Sequence, residues 1–234
     1  MKIKADLHIH SCLSPCGSLE MSPSAIAVKA AAAGLDAAAL TDHNSALNCR
    51  AFKSCCEKNN IMPIFGMEVT SIEEAHILCL FETVEQAEEL GSVIYDKLPD
   101  IPNKPEKFGD QVFVDTEDNI IGEVEKYLIN AAGLTLDELF DHVMDLGGMF
   151  IPAHIDKPVF SIPSQLGFLP DMEYTALETT QIPCPVDTGA HSLIMNSDAH
   201  YIDDIAVHST VFDTGELTFS SLKKAIAEDK ICLF

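Results

Sequence analysis

Asp6-Leu7-His8-Ile9-His10 sets two imidazoles two residues apart at the end of a short apolar run. In a strand, residues i and i+2 point to one face. A first strand over Met1 to Leu7 would therefore release His8 and His10 side by side, able to grip one metal ion. On its own the triplet is weak, because two surface or hydrogen-bonded histidines give the same pattern. The same kinds of group recur along the chain: His43 in Thr41-Asp42-His43-Asn44, Glu68 in Gly66-Met67-Glu68-Val69-Thr70, His76, His154 in Pro152-Ala153-His154, and Asp198 and His200 in Ser197-Asp198-Ala199-His200. Imidazole together with carboxylate suits zinc, manganese or iron better than magnesium or calcium alone. A cation held by such groups would act as a Lewis acid and lower the pKa of a bound water toward neutrality.

Residues this far apart need a scaffold that brings them to one edge. Apolar strand-like runs alternate with helical patterns, the signature of β/α units and a mainly parallel sheet. Ser22 with Pro23 opens a helix that Gly34 ends, and Asp36 to Leu40 reads as the next strand. A helix over Ala46 to Lys58 and strands over Ile61 to Val69 and Ala75 to Phe81 follow. Thr83 with Gln86 and Thr135 with Glu138 read as capping boxes. Later strands are expected at Met149 to Ala153, Tyr174 to Glu178, Ser192 to Met195 and Val207 to Phe212, with a closing helix from about Ser220 to Glu228. In this layout His8, His10, His43, Glu68, His154, Asp198 and His200 fall at or just after the C-terminal ends of strands, where barrel and α/β enzymes build their sites. Residues 99–133, with three prolines and an acidic run at Asp115-Thr116-Glu117-Asp118-Asn119, read as a hairpin and helix inserted on the surface of a single domain covering 1–234.

Composition narrows the function classes. The chain has 234 residues, of which 47% are apolar, enough for a sizeable core. No apolar run approaches the ~18 residues needed to span a membrane, and the start of the chain does not read as a signal segment, so the cytoplasm is the expected compartment and no membrane partner is expected. Eight cysteines without a Cys-x-x-Cys pair read as reduced thiols. A net charge of −23, with Arg50 the only arginine, leads to the expectation of a small phosphorylated partner and no long nucleic acid. Oligomeric state is not legible.

These motifs, in this order, resemble the polymerase-and-histidinol-phosphatase (PHP) family of metal-dependent phosphoesterases, nearly end to end. The resemblance implies an α/β fold, a distorted (β/α)7 TIM-like barrel with up to three divalent metals at its C-terminal mouth. It further implies that His8, His10, Glu68 and Asp198 hold a first ion, that Glu68 bridges to a third ion held also by His76 and His154, and that His43 and His200 hold a second. That second site normally takes one more ligand shortly after the His-x-His, and here the loop departs from the usual pattern, reading Ser14-Pro15-Cys16-Gly17-Ser18-Leu19-Glu20. Glu20 is the preferred candidate and Cys16 the alternative. Asp6 and Asp42 would orient ligand imidazoles. Asp198 or His200 would handle a proton, and Lys157, Arg50 or His191 would bind substrate phosphate.

The leading reading is thus a metal-dependent phosphoric ester hydrolase acting on a small phosphomonoester, such as a nucleotide or sugar phosphate, or on the end of a short oligonucleotide. A polymerase-type proofreading exonuclease and a metal-binding regulatory module without hydrolase activity are the alternatives.

Overall fold

The computed structural model describes residues 1–233. In chain order the elements are β1 (Lys2–Ile9), α1 (Pro23–Ala32), β2 (Ala37–Leu40), α2 (Cys49–Lys58), β3 (Met62–Thr70), β4 (His76–Phe81), α3 (Val84–Lys97), α4 (Pro105–Phe108), β5 (Val112–Val114), β6 (Ile120–Glu123), α5 (Leu136–Asp145), β7 (Met149–Pro152), α6 (Ile162–Leu166), β8 (Leu177–Glu178), β9 (Leu193–Ile194), a 3₁₀ turn (Ile202–Asp204), β10 (Thr210–Asp213), α7 (Phe219–Ala227) and β11 (Ile231–Leu233). The helix ends follow local chemistry. Ser22 accepts a hydrogen bond from the Ala25 amide, and both capping boxes form, Thr83 with Gln86 and Thr135 with Glu138.

Seven strands form one sheet in the order β11-β10-β1-β2-β3-β4-β7. β1, β2 and β3 are parallel, but β4 runs antiparallel to both β3 and β7, and β10 and β11 run antiparallel on the far side of β1. The sheet is therefore mixed where the sequence suggested a mainly parallel one. The β3–β4 connection, residues 71–75, is too short for a crossover helix and makes a hairpin instead. Reversal of β4 places His76, at its first residue, opposite Thr70 at the last residue of β3. A separate parallel ladder, β8 with β9, continues the curl: Thr175 donates its amide to Phe150, and the Leu7 amide donates to Asn196 Oδ1. The result is an α/β architecture of the distorted TIM-like barrel type.

Two apolar layers hold it. The concave face of the sheet packs Ile3, Ala5, Leu7, Ile64, Leu78, Leu80, Met149 and Ile151 together, closed by Phe219, Leu222 and Ile226 of α7. The convex face packs against α1, α2, α3 and α5 through residues such as Phe52, Leu90 and Leu139. Strict alternation would put His8 on the convex side, opposite Leu7. A register shift between Asp6 and Ile9 prevents this, because Leu7 points inward, His8 follows it inward, and Ile9 joins the convex layer. One irregularity in β1 thus aims both imidazoles of the His-x-His into the barrel.

The segment 99–133 contains α4 and the β5–β6 hairpin. It is anchored more firmly than a surface loop: Asn44 Nδ2 donates to the Leu128 and Asn130 carbonyls, Asn48 Oδ1 accepts from the Val114 amide, and Ser22 donates to Asp118. Ile120 and Ile121 remain exposed.

Gly66 lies on β3 two residues before Glu68, and a Cβ there would sit 2.1 Å from the Cys79 carbonyl oxygen of β4. Backbone cannot yield as a side chain can. Gly66→Ala is expected to destabilise the fold by about 1–3 kcal/mol, measured by urea unfolding; wild-type stability for this variant would contradict the close strand approach.

Candidate metal centre

Three overlapping groups of ligand-type atoms, each with all members within 4.8 Å of one another, form at one end of the barrel: His8 with His10, Glu68 and Asp198; His10 with His43 and His200; and His43 with Glu68 and His76. Glu68, only 1% exposed, is the hub. Its Oε1 lies 2.9 Å from His76 Nδ1, 3.1 Å from His154 Nε2 and 3.5 Å from His8 Nε2, while Oε2 lies 3.1 Å from His43 Nδ1 and 3.4 Å from His10 Nε2. Asp198 Oδ1 is 3.3 Å from both His8 Nε2 and His10 Nε2.

The hydrogen bonds behind the ligands fix which nitrogens face inward. His8 Nδ1 donates to the Glu178 carboxylate at 3.0 and 3.1 Å, and His10 Nδ1 donates to Ser14 Oγ at 2.9 Å. His200 Nδ1 donates to the Asp198 carbonyl at 2.9 Å. With those protons committed, the Nε2 atoms of His8 and His10 confront each other at 3.1 Å with lone pairs toward two carboxylates. Four acceptors around one point demand a cation between them. Buried nitrogens without hydrogen-bond partners, His43 Nδ1, His76 Nε2 and His154 Nδ1, add to that demand. This donor set of imidazoles and carboxylates fits divalent transition metals.

Electrostatics agree. Burial would raise the Glu68 carboxyl, but His76, His8 and His43 hold it well below the usual carboxylate range. Asp198 is likewise kept ionised against burial by His8 and His10. Burial pushes His43 well below its ordinary value and His200 down to about 4, so both present neutral lone pairs near pH 7. Burial would depress His8 as well, yet Glu178, Asp198 and Glu68 outweigh it and raise it well above the imidazole norm, so a proton on Nε2 takes the cation's place between these acceptors until a metal displaces it.

Backbone strain gathers here. Asn44, His154, Phe160 and Asp198 all have positive φ, at 51°, 31°, 57° and 51°. Asn44 is held there by the hydrogen bonds of its side chain, and Asp198 turns the chain so that its carboxylate joins the group of His8, His10 and Glu68 while His200 joins that of His10 and His43.

The structure brings together His8, His10, His43, Glu68, His76, Asp198 and His200, with His154 adjoining through Glu68. His10 and His43 are each shared between two groups. Glu20 does not join them: it is exposed, and its amide is turned back onto Ser18. Cys16 lies in the same loop, exposed and outside all three groups. Arg50 is corrected as a phosphate ligand. It projects from α2, 60% exposed at the side chain, and pairs with Glu85 and Glu88 of α3. His191 also stays away, set edge-on against Tyr174 with ring centroids 5.3 Å apart. Lys157 does reach the mouth, with Nζ 2.5 Å from Asp198 Oδ2; burial opposes its charge, but Asp198 sustains it. Asp42 acts on His10 through Ser14, whose hydroxyl donates to it at 2.7 Å, whereas Asp6 accepts from the Ser197 and Ala206 amides and orders backbone rather than an imidazole.

Sequence reasoning missed Glu178. Fully interior, it accepts from His8 Nδ1, from the His154 amide at 2.9 Å and from Asn196 Nδ2 at 2.8 Å. Its only signal in the sequence was a carboxylate at the end of an apolar strand that has no business in a core unless paired.

The family described as the PHP domain matches residues 6–149. No curated protein matches the sequence. Among solved structures, the lesion-specific endonuclease PfuEndoQ from Pyrococcus furiosus superposes with a TM-score of 0.68 at 21% identity, over 97% of this chain and 56% of that one. Endonuclease Q in complex with a 27-mer duplex bearing an abasic lesion at the active site gives 0.68 at 20% identity, over 97% and 57%. A putative metal-dependent phosphoesterase from Bifidobacterium adolescentis gives 0.55 at 16%, over 84% and 87%. These identities show a shared fold, and the chain spans little more than half the length of the endonuclease. They also overturn the exclusion of long nucleic acid, since a protein of this fold was crystallised on a duplex. Net charge sums the whole surface and does not report the potential at one end of the barrel. Among the described residues, no helix is long and apolar enough to cross a membrane.

Glu68→Ala is expected to lower bound metal by two ions per chain together, because Glu68 belongs to two of the three groups; elemental analysis showing only a small loss would contradict the shared carboxylate. Glu178→Gln should weaken metal binding about 10–100-fold with an unchanged circular dichroism spectrum. Unaltered affinity would reduce Glu178 to a packing residue.

Proposed function

The chain belongs to the PHP domain family of metal-dependent phosphoesterases, and from that premise we propose that it hydrolyses a phosphoester of a nucleic-acid strand at the Glu68 centre. The observation that carries this reading is the set of three overlapping donor groups at one end of the barrel, two of which share the buried carboxylate of Glu68. The fold shared with an endonuclease seen on a lesion-bearing duplex supports the substrate class.

His8, His10, Glu68 and Asp198 would hold one ion, His10, His43 and His200 a second, and Glu68, His76 and His43, with His154 beside them, a third; zinc, manganese and iron all suit this set. When bound, such ions supply Lewis acidity and an activated water. The protein does the rest. Glu178 and Ser14 hold the His8 and His10 rings in the tautomer that turns Nε2 inward. Lys157, tethered to Asp198, places a mobile ammonium at the mouth where a substrate phosphate can share it. His200, neutral near pH 7, spends its Nδ1–H on the Asp198 carbonyl and so keeps its other nitrogen free as a donor to the second ion.

Metal-loaded protein should cleave single-stranded or duplex oligonucleotides, with or without an abasic site, faster than mononucleotides or sugar phosphates. His200→Ala should lower bound metal together with kcat, and Lys157→Ala should act mainly on KM. Failure to cleave any nucleic acid with the metal sites filled would contradict the reading.

A further inference from the structure

The loop between β7 and α6 carries three groups toward the mouth within eight residues: His154, Lys157 and Phe160. Phe160 has φ +57°, a conformation in which a bulky aromatic residue is strained. Its carbonyl accepts from the His76 amide at 2.8 Å, and its ring lies flat on the His76 imidazole, with centroids 4.7 Å apart and planes 10° from parallel. The loop around it is fixed as well, since the Lys157 amide donates to the His154 carbonyl at 2.9 Å and Ser161 Oγ donates to the Lys157 carbonyl at 2.7 Å. Packing alone would be expected to cover the ring, yet Phe160 stays 39% exposed. A strained aromatic held by its backbone, stacked on a metal-group imidazole and still 39% exposed, is a surface suited to a second planar group.

Resting on the function proposed above, we infer that Phe160 is the stacking platform for the nucleobase adjoining the phosphate that seats over Glu68, with Lys157 meeting that phosphate. The geometry pairs the two parts of a nucleotide: a flat apolar ring for the base and an ammonium at the cluster for the anion. Stacking needs no positive charge and tolerates any base, so it suits a chain with a net charge of −23, whose only arginine is engaged elsewhere. The competing role is purely internal, with Phe160 present only to hold the His76 ring.

The test compares wild-type protein, Phe160→Leu and Phe160→Trp on two single-stranded oligonucleotides, identical except that one lacks the base beside the scissile phosphate. Leucine keeps apolar cover on His76 without a flat face, and tryptophan restores the flat face. Phe160→Leu is expected to raise KM about tenfold for the base-bearing strand, leaving kcat, metal content and the abasic strand unchanged, with Phe160→Trp near wild type. An equal effect on both strands, or loss of metal from Phe160→Leu, would overturn the platform in favour of the internal role. Binding of a strand carrying 2-aminopurine at the same position reads stacking without turnover. Fluorescence quenching by the wild type that is lost in Phe160→Leu supports the platform even if hydrolysis itself fails, and absence of quenching overturns it.

Discussion

One buried carboxylate organises this molecule. Glu68 meets five imidazoles within 3.5 Å of its two oxygens while almost wholly removed from water. A lone carboxylate in that position would carry a desolvation cost of several kcal/mol, and clustered neutral imidazoles would oppose one another lone pair to lone pair. Cations resolve both conflicts at once. The reversed β4, the bulge in β1 and the left-handed turns at His154 and Asp198 all serve to bring donors onto this one residue.

Much of the site was legible because its ligands sit where strands end, and strand ends are marked by apolar runs giving way to polar residues. The His8-x-His10 pair, Glu68 and the Asp198-x-His200 pair were proposed this way, and the structure gathers their side chains at one end of the barrel; Lys157 was proposed from the family resemblance instead. What escaped depends on contacts between distant segments. The direction of β4 cannot be read from its own apolar run, so His76 could be placed on a strand without its reason for reaching the mouth. The bulge that turns His8 inward leaves no mark in the residue types. Glu178 lies at the end of an unremarkable strand and gains its role only from His8, Asn196 and the His154 amide. Glu20 and Arg50 failed for the opposite reason: their charge made them attractive, but solvent and the Glu85 and Glu88 carboxylates hold them elsewhere.

Net charge misled about partners for a related physical reason. Carboxylates dominate the sum, but several of them face the interior, where bound cations and imidazoles would offset them. The potential felt by a phosphate at the barrel mouth would be set by those cations and by Lys157. An acidic total is therefore compatible with a polyanionic substrate approaching at one end of the barrel.

Anomalous X-ray diffraction from crystals of the manganese-loaded, active protein tests the central role of Glu68 most directly. Two anomalous peaks are expected within coordination distance of Glu68, at about 2.0–2.3 Å from its oxygens, one also ligated by His8, His10 and Asp198 and the other also by His76. Full activity in crystals whose anomalous map shows no ion at Glu68 would contradict the account.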